Sequence, residues 1–410
     1  MSTPPPWLRT VDAAGLVDAA GTVRSTIFAE ISALATEHGA VNLGQGFPDE
    51  DAPREVLDAA IEAINAGVNQ YPPGRGMPVL RQAIADHRER FWGDTVDPDT
   101  EVIATTGATE GIAVALLALA GAGDEVVTLE PYYDSYAAMI GLSGATHRTI
   151  PLRGEDFQPQ PAEIDAAIGP RTRVVLLNNP HNPTGSVIRP ELIERIVARA
   201  AAHDAVIVSD EVYEHLVYDA APFTPAALIP GARERTLTIS SAAKTFRVTG
   251  WKIGWMTGPA SLIDHVLAVK QFTTYVNGAP FQPAVAVGLG LPDSYFHGQR
   301  DALQRRRDLL SEGLRAAGFR VSPSSGSYFV VADAAPLGIS DGTVAARELT
   351  LDPGVASIPL QSFAPRSTDP VVRSSLRFAF CRTEAAITQA MTRLGSLRIV
   401  DDDDKGAEHR

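Results

Sequence analysis

The chain has 410 residues, 45% of them apolar and 20% charged, and 35 Lys plus Arg stand against 49 Asp plus Glu for a net charge of −14. That length is long for one compact domain and short for three, so two unequal domains are expected. An acidic chain repels polyphosphate at long range, which sets nucleic acid aside as a partner, and the longest apolar run, 111–123, falls short of the ~20 residues that a membrane span needs. A single cysteine, Cys381, leaves no internal disulfide and no cysteine-cluster metal site. The opening MSTPPPWLRT has no apolar stretch of the signal-peptide kind, so a soluble, cytoplasmic protein is expected. The string DDDDK reads as a protease-site tag or a solvated tail, and residues 401–410 are set aside from the fold.

Residues 1–24 carry several prolines and little periodicity and read as an arm. A helix is expected over 25–38, with Ile27, Ile31 and Leu34 on one stripe. The loop NLGQGFPDEDAP follows, then a helix over 53–66, the Gly/Pro-rich loop YPPGRGMP, and a helix to about 91. From residue 100 short β-branched runs alternate with helical segments. EVIATT, EVVTLE, RTRVVLLNN, AVIVSDEVY, RTLTISS and KIGWMTG read as strands, with helices from Thr109 and from about 133. This alternation predicts βαβ units and a mostly parallel sheet covered on both faces. The right-handed crossover rule then places the strand C-termini along one edge, where open α/β sheets bind ligands. A long helix is expected over 295–317, then strands FRVSP, SYFVVAD, VASIPL and SSLRFAFC, and a last helix over 384–395. The division is therefore 1–50 as arm and helix packing on the smaller domain, 51–294 as the larger α/β domain, and 295–400 as the smaller α+β domain.

The nine histidines show no pair at helical metal spacing, and no metal site is expected. No GxSxG elbow, Walker loop or complete GxGxxG is present; LGQGFPD precedes no βαβ unit, which sets dinucleotide binding aside. What remains is a set of polar groups where predicted strands end: Lys244 after RTLTISS, Asp210 and Tyr213 after AVIVS, Asn179 and Asn182 in NNPHNPTG, and Gly107, Ala108 and Thr109 opening a helix after EVIATT. Singly, each has a plain explanation. Asp210 and Thr109 suit helix caps, Asn182 suits a turn, and most lysines are solvated. Together, on one sheet edge, they converge. A lysine within ISSAAKTF is partly desolvated, which lowers its pKa and suits Schiff-base chemistry.

SSAAKTFRVTGWKIG resembles the lysine signature of class I pyridoxal-phosphate aminotransferases. NLGQGFPD, NQYPPGRG, GATE, EPYYDSY, NNPHNPTG, SDEVYEHLVYD, GAPFQPA and LRFAFCR follow in family order from about Ile27 to Leu397. Within the class the chain looks most like the branch of kynurenine/glutamine and N-succinyldiaminopimelate aminotransferases. The resemblance implies the pyridoxal-phosphate-dependent transferase fold type I, a homodimer with shared active sites, and small-molecule amino acid and 2-oxo acid substrates. It implies that Lys244 forms the internal aldimine and shuttles a proton, that Asp210 pairs with the pyridine nitrogen, and that Asn182 and Tyr213 bond the phenolate oxygen. Tyr133 would stack on the ring, although a core aromatic is the plainer reading of it. Gly107, Ala108, Thr109, Ser241 and Lys252 would hold the phosphate, with Tyr71 reaching in from the neighbouring subunit. Lys252 stands where most of the class has arginine, which keeps charge and loses the bidentate fork. Arg377 would take the substrate α-carboxylate, helped by Asn182 and Gly46.

Arg247 departs from the class signature, which expects a small or apolar residue there. Two readings stand: it points to solvent, or it lines the pocket and favours an acidic side chain. Phe28, where kynurenine-type enzymes tend to carry tryptophan, is a candidate substrate contact, and Asn277 and Gly278 are candidates for the entrance. The implied activity is amino-group transfer by a ping-pong cycle, with 2-oxoglutarate as acceptor and N-succinyl-diaminopimelate slightly ahead of glutamine, methionine or kynurenine as donor. A carbon–sulfur β-lyase is the alternative within the fold. A non-catalytic pyridoxal-phosphate-binding regulator is a distant one, because only about forty residues precede NLGQGFPD.

Overall fold

The computed structural model describes residues 4–395, so the expected tail at 401–410 lies outside the described residues. Its strands are β1 (Val41–Asn42), β2 (Val102–Thr105), β3 (Glu125–Glu130), β4 (Thr146–Arg153), β5 (Gln158–Pro159), β6 (Thr172–Asn178), β7 (Val206–Asp210), β8 (Thr236–Ser241), β9 (Gly254–Thr257), β10 (Arg320–Val321), β11 (Phe329–Asp333), β12 (Val355–Ala356), β13 (Ile358–Pro359) and β14 (Ser375–Ala379). Eight form one sheet in the order β2-β9-β8-β7-β6-β3-β4-β5. The pairs from β8 through β7, β6 and β3 to β4 are parallel. β9 runs antiparallel to both of its neighbours, and β5 antiparallel to β4.

The strand interiors are buried on both faces, as a sheet between two helical layers requires. Successive side chains point to opposite faces, so Val174, Leu176 and Val208 join one apolar cluster while Val175, Leu177 and Ile207 join another. β4 was not expected. Its sequence, THRTIPLR, keeps a largely solvent-facing outer half, which hides it among polar loops. Residues 295–317 were expected to be helical, and the helix is Asp293–Ala316.

A second sheet, β10-β11-β14-β13, is antiparallel throughout. The N-terminal stretch packs beside it: β1 pairs parallel with β12 in a separate two-stranded sheet, and the Ala379 N–H donates to the Leu43 carbonyl at 2.7 Å. The helix Ile27–His38, capped by the Thr26 side chain, lies against the helix Gly342–Leu351, where Arg347 grips Glu30.

The arm expected over 1–24 needs correction. Pro6–Ala13 is helical and sits on the helix Asp134–Ser143 of the larger unit, not on the smaller one. Pro6 presets the first turn, and Gly141 allows the close approach, since a Cβ there would lie 2.6 Å from Ala13 Cβ. Arg9 Nε donates to the Gly141 carbonyl at 3.2 Å. Eight residues without a side-chain cap left too little periodicity to read from sequence.

Candidate active site

The C-terminal ends of β2, β6, β7 and β8 lie along one sheet edge. The reversed β9 brings its first residue, Gly254, to the same edge, opposite both Thr105 and Ser241. A cavity of about 470 Å³ opens there, lined by Phe28, Gly46, Gly107, Ala108, Thr109, Tyr133, Asn182, Asp210, Tyr213, Ser241, Lys244, Lys252 and Arg377; of the candidates, Tyr71, Asn179, Arg247, Asn277 and Gly278 do not line it.

Lys244 leaves the short helix Ala242–Thr245, whose start is capped by Ser241 Oγ accepting from Ala243 N at 3.2 Å. Its Nζ stands 5.5 Å from the centre of the Tyr328 ring and 6.0 Å from that of Tyr213. Burial pushes its pKa down to about 8. Asp210, at the end of β7, is pushed up to about 6 by burial. Its carboxylate accepts from the Tyr136 hydroxyl at 2.5 Å, a bond that favours the ionised form. Tyr213 is buried, which raises its hydroxyl well above the ordinary range. Tyr133 is raised to about 12 by the same cause and meets Tyr136 edge-on, with ring centres 5.5 Å apart.

Tyr136 and Asn178 were missed as site residues. Asn178 Nδ2 donates to the Asp210 carbonyl at 3.0 Å, and its Oδ1 accepts from Asn182 N at 2.7 Å, so it joins two functional loops. Asn179, singled out from sequence, is turned away: its Oδ1 accepts from Ile188 N at 2.9 Å. Both missed residues stand inside quoted motifs, EPYYDSY and NNPHNPTG, and that was the available signal.

One end of the cavity is built for an anion. The helix Gly107–Leu119 begins there with its first N–H groups unpaired within the helix. Lys252, in the left-handed region at φ 55°, sends Nζ to within 3.2 Å of Thr109 Oγ1. Among the described residues no carboxylate pairs with Lys252. Asn277 does not line the cavity. Its Nδ2 donates to the carbonyls of Thr105 (2.9 Å) and Lys252 (3.1 Å), bracing this corner from behind.

The other end presents Arg377, which projects from β14. Nη1 donates to Asn182 Oδ1 at 3.0 Å and Nη2 to the Gly44 carbonyl at 2.7 Å, while Nε is buried without a partner. The guanidinium lies 4.0 Å from the Phe329 ring centre and 4.7 Å from that of Phe363. Burial lowers its pKa to about 10, and no carboxylate among the described residues pairs with it. A buried, unpaired guanidinium held by neutral acceptors is a ready carboxylate receptor. Phe28 flanks it, at 5.6 Å from ring centre to guanidinium carbon, and the Gly46 carbonyl nearby accepts from the Tyr328 hydroxyl.

Two expected residues stand elsewhere. Tyr71 is 83% exposed, meets the Tyr275 ring with centres 5.9 Å apart, and does not line the cavity. Arg247 also lies outside the cavity, paired with Glu50 at 3.2 Å, so neither of its two sequence readings describes it.

These groups fit pyridoxal 5′-phosphate. There is a helix N-terminus with an unpaired lysine for a phosphate, an amine of lowered basicity, a buried acid beside it, and a free guanidinium for a substrate carboxylate. The model of the aminotransferase class I and II family matches residues 38–394. A probable N-succinyldiaminopimelate aminotransferase of Mycobacterium tuberculosis is 48% identical over 381 residues, covering 91% of this chain and 96% of that protein. A methionine aminotransferase of Escherichia coli is 36% identical over 373 residues, covering 91% and 96%. The solved structure of N-succinyldiaminopimelate aminotransferase from M. tuberculosis superposes with a TM-score of 0.89 at 47% identity, covering 96% of this chain and 99% of that one.

Proposed function

The chain belongs to the class I and II aminotransferases, and from that premise we propose that it moves an amino group from N-succinyl-diaminopimelate to 2-oxoglutarate. It is a transaminase of fold type I that uses pyridoxal 5′-phosphate. When bound, the cofactor supplies the carbonyl that takes up the amino group and the electron sink that makes the donor's Cα–H acidic.

In this reading Lys244 is both the attachment point and the proton carrier. A pKa of about 8 leaves roughly a tenth of it neutral at pH 7, ready to take a proton at Nζ from the donor's Cα. Asp210 would pair with the protonated pyridine nitrogen, and the Tyr136 hydroxyl favours the ionised carboxylate and fixes it. Because Asn182 Oδ1 is occupied by Arg377, its amide N–H groups remain to donate to the ring oxygen or the substrate, alongside Tyr213. Gly107, Ala108, Thr109, Ser241 and Lys252 would hold the phosphate, and Tyr133 would pack against the cofactor. Arg377 takes the α-carboxylate of donor and acceptor alike, as the two halves of a ping-pong cycle require, with Gly46 and Phe28 beside it.

A homodimer completes the site. Tyr71, Tyr275 and Phe272 stand exposed at 83%, 44% and 86%, an aromatic patch that suits burial against a second copy. Work in the cytoplasm is part of the proposal and rests on composition.

The observation that carries the reading is Arg377, buried and without a carboxylate, at the opposite end of the cavity from the phosphate site. The donor assignment rests on the 48% relative. A second reading, with methionine, glutamine or kynurenine as donor, is favoured by the cavity wall. Lys244, Lys252 and Arg377 are its only cations among the described residues, and Phe28, Phe47 and Phe329 are among its other lining groups. A donor panel with 2-oxoglutarate decides: N-succinyl-diaminopimelate turns over fastest if the first reading holds, and a preference for aromatic donors refutes it. Lys244→Ala must abolish transfer and the visible absorbance of the lysine-bound cofactor.

A further inference from the structure

Arg247 stands three residues after Lys244 with φ 59°, the left-handed region that a residue carrying a Cβ rarely enters. Its reach explains the conformation. Nη1 donates to Glu50 Oε2 at 3.2 Å, and Arg306, from the helix Asp293–Ala316, grips the same carboxylate with Nη1 at 3.1 Å and Nη2 at 2.7 Å. The two guanidiniums hold the Glu50 carboxyl below the usual range. Glu50 ends the turn that carries Gln45, Gly46 and Phe47 into the large cavity. The other anchors of that turn come from the C-terminal part of the chain and from the helix Ile27–His38: Tyr328 on the Gly46 carbonyl, Arg382 on Asp49 and against the Phe47 ring at 4.5 Å, and the Phe28 carbonyl and Ser32 hydroxyl accepting from Gln45 Nε2. Arg247 alone among these anchors comes from the lysine-bearing loop. It lines a separate cavity of about 30 Å³ behind Lys244, with Glu50, Arg306 and Gln299, and takes no part in the wall of the large one.

We propose that Arg247 is a positioning residue: through Glu50 it fixes the Gln45–Phe47 turn relative to Lys244 and so sets how tightly the donor side chain is held, without touching the substrate. The inference rests on the aminotransferase reading for its kinetic half and on geometry alone for the other.

Four variants test it: Arg247→Ala, Arg247→Gly, whose backbone accepts the left-handed region, Arg247→Lys, and Glu50→Gln. In the cofactor-free protein, hydrogen exchange over residues 44–51 is expected to quicken by about tenfold in Arg247→Ala and Arg247→Gly. In the loaded enzyme the donor KM rises by about five- to tenfold with kcat within about twofold. Arg247→Lys recovers part of both effects. Arg247→Ala with Glu50→Gln is no worse than the worse single change, because the two residues act as one unit. The proposal is overturned if exchange over 44–51 is unchanged, if the two changes add, or if KM rises only for donors with an acidic side chain, the mark of direct substrate contact. Should the wild-type protein transfer no amino group while exchange still responds, the functional reading falls and the coupling stands.

Discussion

Replacing Tyr136 by Phe removes one oxygen from a side chain that is 2% exposed and leaves its volume nearly unchanged. The lost bond runs at 2.5 Å to Asp210, and a buried hydrogen bond to a charged group is worth about 1.5–3 kcal/mol. At 1.36 kcal/mol per pKa unit, losing a donor that favours the ionised form raises the Asp210 pKa by about one to two units. From its present value of about 6 the carboxyl moves to about 7–8. At pH 7 the wild-type group is then about nine-tenths ionised and the variant half or less, a two- to tenfold loss in the form that the proposed pairing with the pyridine nitrogen needs. The assay is cofactor affinity against pH on the cofactor-free protein, run on both versions so that the cofactor's own titrations cancel. Binding should tighten through about 6 in the wild type and through about 7–8 in the variant. The sign for stability follows the same group. Its folded pKa lies above 3.8, so its contribution to the cofactor-free fold is present below about 4 and lost as pH rises through about 6. In Tyr136→Phe that loss extends to higher pH. A folded variant whose binding midpoint stays where the wild type's lies would refute this account of Asp210.

Lys244 in the cofactor-free protein should acylate with a midpoint near pH 8, against about 10.4 for an ordinary lysine, and a midpoint near 10 would mean that burial does not depress it. Gly46→Ala places a Cβ 2.7 Å from Phe329 Cζ and 3.2 Å from Tyr328 Cε2, both on buried rings. The donor KM is expected to rise by about tenfold as those rings shift, and unchanged kinetics would show that the turn yields freely. Tyr71→Ala should leave thermal unfolding of the single chain unmoved, because the ring is exposed, yet weaken cofactor binding in the dimer. Mixing it with Lys244→Ala should restore activity through hybrid sites, and no restoration speaks against shared sites.

The parts of the fold that sequence disclosed were those written in short-range patterns. The β-branched runs ending in NNPHNPTG, SDEVY and SSAAK located the sheet edge because each run is brief, buried and followed at once by polar turn residues. β4 was hidden by its half-exposed pattern, and Pro6–Ala13 by its brevity. Most of the cavity's polar lining was legible residue by residue, but its pairings were not. Tyr136 meets Asp210 across 74 positions and Asn182 meets Arg377 across 195, and no local period encodes such partners. Arg247 shows the limit most plainly: a cation read as solvated or substrate-facing is committed to Glu50, 197 positions away.

The reversal of β9 has a consequence for how the two lysines of the cavity are linked. A parallel partner for β8 would need a crossover of a dozen or more residues before returning to the sheet. Running antiparallel, β9 starts at the edge where β8 ends, so residues 242–253 never leave that edge and Lys244 and Lys252 stand eight positions apart on it. A span that short loses little freedom on closing. In the proposed reading the covalent anchor and the phosphate anchor are therefore two ends of one tether, whose length is set by the chain. Inserting a single residue between them would misplace both attachments at once while leaving every side chain of the pocket intact.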